Sequence, residues 1–99
     1  MKMDIQTVGF NADSSLTEYA QSKTEGLMKY FDRIVGAEIY LKLVQDDKEQ
    51  NKVAEIKLNI PGNDLFASSQ SGKFEGSVND SIDKLKGQLR KLKTKLQTH

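Results

Sequence analysis

The sequence predicts an α+β fold in the order β-α-β-β-β-α, a four-stranded mixed sheet with two helices packed on one face. Three observations carry that reading. The C-terminal fifth repeats apolar residues at helical spacing. The middle of the chain alternates apolar and polar residues in three runs separated by turn signals. The N-terminal third joins a short alternating run to a second helical pattern.

The first strand is short. Met3, Ile5 and Thr7 alternate with Asp4 and Gln6, which gives one mainly apolar face. Asn11 to Ser15 then breaks the extended run. Asp13 suits an N-cap, and Ser15 with Glu18 offers a capping box as the alternative start. A helix follows to about Asp32. Leu16, Ala20, Leu27 and Phe31 share one face, with Tyr19 and Tyr30 beside them. Lys23 falls in the same arc, an unusual place for an ammonium group. Gly36 ends the connection.

Three strands come next. Ile39, Leu41 and Leu43 alternate with Glu38, Tyr40 and Lys42. The polar run from Gln45 to Lys52 reads as a loop. Ala54, Ile56, Leu58 and Ile60 alternate with Glu55, Lys57 and Asn59. Pro61-Gly62 reads as a turn, with Pro second and Gly third. Leu65 and Ala67 alternate with Phe66 and Ser68. Short links predict an antiparallel meander for these three strands. The helical link makes the first two strands parallel if they are neighbours.

Ser71-Gly72 precedes the long second helix. Phe74, Val78, Ile82, Leu85, Leu89, Leu92 and Leu96 recur at steps of three and four. At about 100° per residue they fill an arc roughly 80° wide, a stripe that must be buried. Six basic residues and no acidic one lie between Lys84 and Lys95. Lys86, Arg90 and Lys93 fall on one shoulder of the stripe; Lys84, Lys91 and Lys95 fall on the other. Such flanks either keep a helix soluble or bind an anion.

Ninety-nine residues make one domain, spanning 1–99. With no cysteine, disulfides, thiolate catalysis and cysteine-held zinc are excluded. The start, Met1-Lys2-Met3-Asp4, lacks the apolar run of a signal peptide. No apolar segment reaches the roughly 18 residues of a membrane span. A soluble cytoplasmic protein without a membrane partner is expected. Net charge is only +1, but it is unevenly placed. Residues 73–99 carry seven basic and three acidic side chains; residues 1–72 carry eight and eleven. A cationic end can hold a polyanion even on a nearly neutral chain.

The sequence holds little that suits catalysis. Its one histidine is the terminal His99, and its glycines form no phosphate loop. Asp46, Asp47 and Glu49 lack the spacing of a calcium loop. Asp80 and Asp83 read as surface charge near the start of the last helix. No catalytic residue, metal site, cofactor or small-molecule substrate is expected, and no enzyme. Tyr40 and Phe66 on the open sheet face could stack bases, or simply stiffen the sheet by cross-strand contact. Three strands between two helices are similar to a double-stranded RNA-binding domain, which reads A-form shape through phosphates.

Two strings add a resemblance. Tyr30-Phe31-Asp32-Arg33-Ile34, and Ile82-Asp83-Lys84-Leu85 leading to Gln88-Leu89, resemble the ribosome hibernation promoting factor family over nearly the whole chain. The resemblance implies the same β-α-β-β-β-α fold. It implies binding to the small ribosomal subunit and its rRNA in the decoding channel, where mRNA and tRNA lie. It implies that translation is silenced in resting cells. By position, Lys23, Lys84, Lys91, Lys93 and Lys95 match basic sites of the family. Gly87 stands where another basic residue is frequent, and Lys86 and Arg90 would compensate. The resemblance is to the short form, expected to be monomeric when free. Lys23 then has two readings. It meets a phosphate in the groove between the helices, or it packs its stem on Leu27 and keeps its head wet. The alternative function is an RNA- or protein-binding regulator that uses the same cationic helix away from ribosomes.

Overall fold

The structure, a computed structural model, describes residues 2–97. The expectations placed on Met1, His99 and the side chain of Leu96 lie outside the described residues. The elements are β1 (Lys2–Val8), α1 (Ser14–Tyr30), β2 (Gly36–Leu43), β3 (Lys52–Asn59), β4 (Leu65–Ser71) and α2 (Phe74–Gln97). The sheet order is β1-β2-β3-β4. β1 and β2 are parallel, and the other neighbours are antiparallel. The fold is therefore the predicted mixed sheet with two helices.

Register follows from the two-residue period of each strand. Ile5, Ile39, Ile56 and Ala67 form one row across all four strands. Met3, Ala37, Leu58 and Leu65 form the next row. Both rows face the helices and join a single core with Ala20, Leu27, Val78, Leu85 and Leu89. A slip of one residue would turn each row to solvent, so burial fixes the register.

Gly9 follows β1 with φ +86°, and a Cβ there would come within 2.8 Å of the Leu43 carbonyl oxygen. Only glycine fits that approach. At the other end of the sheet, the Asn63 amide donates to the Ile60 carbonyl at 2.9 Å, and Gly62 has φ +81°. That is the expected Pro-Gly turn.

Asp13 caps α1, its Oδ1 accepting from the Leu16 amide at 2.8 Å, so the Asp13 start is used. α1 ends at Tyr30, two residues earlier than expected, because Phe31 turns extended at φ −147° and drops its ring into the core. Thr24 is fully buried in α1 and donates back to the Ala20 carbonyl at 2.8 Å. That bond satisfies a hydroxyl which water cannot reach.

α2 carries a second inward row beside its apolar stripe. Ser77 and Ser81 are fully buried. Their hydroxyls donate to the carbonyls of Lys52 (2.6 Å) and Ala54 (2.8 Å) on β3. Small side chains let the helix approach the sheet, and each hydroxyl keeps a partner in the dry interface. Ser81→Ala is expected to cost about 1 kcal/mol through the lost hydrogen bond. Ser81→Leu should cost about 1–3 kcal/mol more by overpacking. Equilibrium urea unfolding of the two variants reads both effects. A harmless Ser81→Leu would mean that α2 does not lie this close to β3.

Candidate nucleic-acid interface

α1 and α2 run side by side in the same direction, pinned at two points. Near their starts, the Tyr19 hydroxyl donates to Asn79 Oδ1 at 2.9 Å. Near their ends, Lys93 Nζ donates to the Tyr30 carbonyl at 3.2 Å and lies 4.9 Å from the Tyr30 ring centroid. Tyr30 is the last residue of α1, so its carbonyl has no partner within the helix. A cation at that negative helix end is favourable.

The second pin decides which shoulder of α2 faces α1. Lys93 shares its shoulder with Lys86 and Arg90, so all three border the interhelical seam. From α1, Lys23 borders the same seam between the two pins. Lys23 is exposed, with Nζ 5.5 Å from the Tyr19 ring centroid. Its stem lies along the helix and its head stays wet, the snorkelling arrangement. Gly26, one turn on, leaves open space where a side chain would stand. The seam is therefore a shallow track lined by Lys23, Lys86, Arg90 and Lys93. None of the four pairs with a carboxylate among the described residues.

The other shoulder borders β4, the edge strand. Lys84 Nζ donates to the Ser68 carbonyl at 2.7 Å, and Gln88 Nε2 donates to the Phe66 carbonyl at 2.9 Å. These bonds occupy carbonyls of an edge that would otherwise invite strand pairing. Lys84 forms no ion pair among the described residues. Lys91 and Lys95 are exposed and carry no ion pair among the described residues. Sequence spacing placed all six cations toward solvent. Lys84 and Lys93 have the added task of tying α2 to β4 and to α1.

The open face of the sheet is balanced by charge. Lys42 pairs with Glu55 at 2.8 Å, and Lys57 reaches Glu38 at 3.9 Å and Asp64 at 3.6 Å. The Tyr40 hydroxyl donates to Glu38 Oε1 at 3.1 Å. That bond, with the negative charge of Glu38, raises the phenol above its ordinary range. Tyr40 is thus committed to its own neighbours. Phe66 is half exposed on the same face. Two rings within a lattice of ion pairs make a poor stacking platform. Among the described residues, no three His, Cys, Asp or Glu side chains converge as metal ligands. No helix among them is long and apolar enough to cross a membrane.

A cation that sequence spacing left aside is Arg33, just past α1. It lines a cavity of about 580 Å³ together with Phe31, Ile60, Pro61, Leu92 and Lys95. These residues lie far apart in the chain, so no local pattern announces the cavity. It exists because α2 outruns the sheet. Its 24 residues extend roughly 36 Å, against about 25 Å for the strands.

Fold and seam define a small α+β domain whose two aligned helices display cations that form no ion pair among the described residues. The chain belongs to the sigma 54 modulation protein / S30EA ribosomal protein family, whose profile matches residues 3–97. It is 32% identical over 82 residues to the ribosome hibernation promotion factor of Deinococcus radiodurans, covering 81% of this chain but 42% of that protein. It is 29% identical over 99 residues to the ribosome hibernation promoting factor of Escherichia coli K12, covering 98% of this chain and all of that protein. Two solved structures share the fold. One is a ribosomal subunit interface protein from Coxiella burnetii, at TM-score 0.76 and 24% identity, covering 93% of this chain and 99% of that one. The other is the N-terminal domain of Protein Y from Thermus thermophilus, at TM-score 0.78 and 18% identity, with the same coverage.

Proposed function

We propose that this protein is a ribosome hibernation factor. It binds rRNA in the decoding channel of the small ribosomal subunit, blocks access of mRNA and tRNA, and silences translation in resting cells. Family membership and the names of the curated relatives support the hibernation role. The observation that carries the rRNA contact is the seam, where Lys23, Lys86, Arg90 and Lys93 line one track free of ion pairs. Such a track suits a phosphodiester chain, because each phosphate met by a cation releases counterions. Lys84, Lys91 and Lys95 add a second row along the other shoulder. The action is binding and occlusion without a catalytic step. The free protein is monomeric and cytoplasmic, and it needs no cofactor or metal.

The test is direct. Lysates from growing and resting cells are sedimented through sucrose, and the protein is followed by immunoblot. It is expected with the small subunit and with whole ribosomes in resting cells. Recovery in the soluble fraction under both conditions would favour a regulator that uses the same helix away from ribosomes.

A further inference from the structure

We infer that the cavity where α1 ends beside α2 holds one unstacked nucleotide of RNA. Its base lies on the apolar floor and its phosphate sits between Arg33 and Lys95. The inference rests on the proposed rRNA-binding function and adds a contact outside the seam.

The cavity measures about 580 Å³, inside the roughly 300–1,000 Å³ range of small-ligand sites. Its floor is Phe31, Ile60 and Leu92, the first two buried and the third half-buried. Arg33, Lys95 and Asn63 stand exposed on the rim. No acidic residue lines it. The nearest in sequence to the turn, Asp64, is directed to Lys57 at 3.6 Å. Arg33 and Lys95 have no ion pair among the described residues.

Two uncompensated cations over an apolar hollow call for a ligand that joins an anion to a flat apolar body. Free phosphate would leave the floor unused. A nucleotide supplies both parts. The Pro61-Gly62 turn suits a flat partner, since nothing stands within 4 Å of where a Gly62 side chain would begin. The Asn63 side-chain amide offers a donor and an acceptor to a base edge. An acidic peptide with an aromatic residue has comparable chemistry. Continuity decides between them. Lys95 ends the row that Lys84 and Lys91 begin on the β4 shoulder, so a phosphodiester chain following that row along α2 reaches the cavity without leaving cationic surface. Unstacked bases held on apolar or aromatic side chains are the usual targets of RNA recognition outside duplexes.

The experiment titrates the ¹⁵N-labelled full chain with adenosine and uridine monophosphates, ribose 5-phosphate, inorganic phosphate and an acidic peptide containing phosphotyrosine. The nucleotides should shift the Arg33, Gly62 and Asn63 amides at millimolar concentration. They should bind roughly five- to a hundredfold tighter than ribose 5-phosphate, the worth of one stacked base. Arg33→Gln/Lys95→Gln, two exposed positions that leave the core untouched, should abolish those shifts and keep the remaining spectrum. Equal binding of ribose 5-phosphate and nucleotides would reduce the cavity to an anion site and overturn the inference. Tighter binding of the peptide, or no shift at Gly62 and Asn63, would overturn it as well. Small-subunit binding by the parent chain is measured in parallel. Subunits bound with a silent cavity would sink this inference alone, and subunits not bound would sink the function it rests on.

Discussion

Leu89→Ala should destabilise the fold by about 2–5 kcal/mol. Leu89 is fully buried in α2, in one core with Leu85, Val78, Ile56 and Leu58. Truncation removes three carbons from a packed interface between helix and sheet. The cost is lost transfer energy plus a cavity that the paired strands cannot collapse to fill. Lys91, two residues along the same helix, is exposed. Lys91→Gln should shift stability by no more than about 0.5 kcal/mol. Urea unfolding monitored by circular dichroism separates the two. The unfolding slope should stay constant if both variants remain two-state. Equal losses for Leu89→Ala and Lys91→Gln would mean that α2 presents a different face to the sheet.

The alternating runs and the leucine stripe made the whole element order legible. Ile39, Ile56 and Leu85 could be placed by period alone, because each is large and apolar. The small polar residues could not. Thr24, Ser77 and Ser81 look like surface residues in the sequence, yet all three are fully buried. What allows their burial is a backbone carbonyl within reach, two of them on a strand more than twenty residues away. Val53 shows the same limit from the other side. It is buried although its strand position faces away from the helices, for it stands between Lys42 and Gln70 in the register. Their long stems shield it.

Part of the candidate interface was legible and part was not. Helical spacing separated the six cations of α2 into two shoulders. It could not say which shoulder faces α1, since that depends on the contact of Lys93 with Tyr30, 63 positions apart. Nor could it show that Lys84 reaches the carbonyl of an edge strand. Lys23 looked misplaced because a wheel gives a direction and no length. Its stem is long enough to leave the apolar arc and bring the ammonium over Tyr19.

Replacing Lys86, Arg90 and Lys93 together by Gln should cost more ribosome affinity than replacing Lys84, Lys91 and Lys95. The family resemblance weights the second set, since it matches Lys84, Lys91 and Lys95 there but only Lys93 in the first. The geometry weights the first, because Lys23 of α1 borders the same seam and concentrates charge there. A phosphodiester chain in the seam meets cations from both helices, whereas the other shoulder has cations from α2 alone. Binding to purified small subunits is measured across a salt series at fixed magnesium, since magnesium competes for the same phosphates. Each phosphate contact contributes a slope of roughly −0.7 to −0.9 in log K against log salt. The seam triple should therefore flatten the slope by about 2 to 3 units and relieve inhibition in a purified translation system. Lys93→Gln also removes the bond to Tyr30, so melting of each variant is recorded to separate lost contact from lost fold. A larger loss from the Lys84, Lys91 and Lys95 triple would move the RNA track to the β4 side of α2. If both triples keep the parent's affinity and salt slope, the cations of α2 only keep the helix soluble and the proposed mechanism fails.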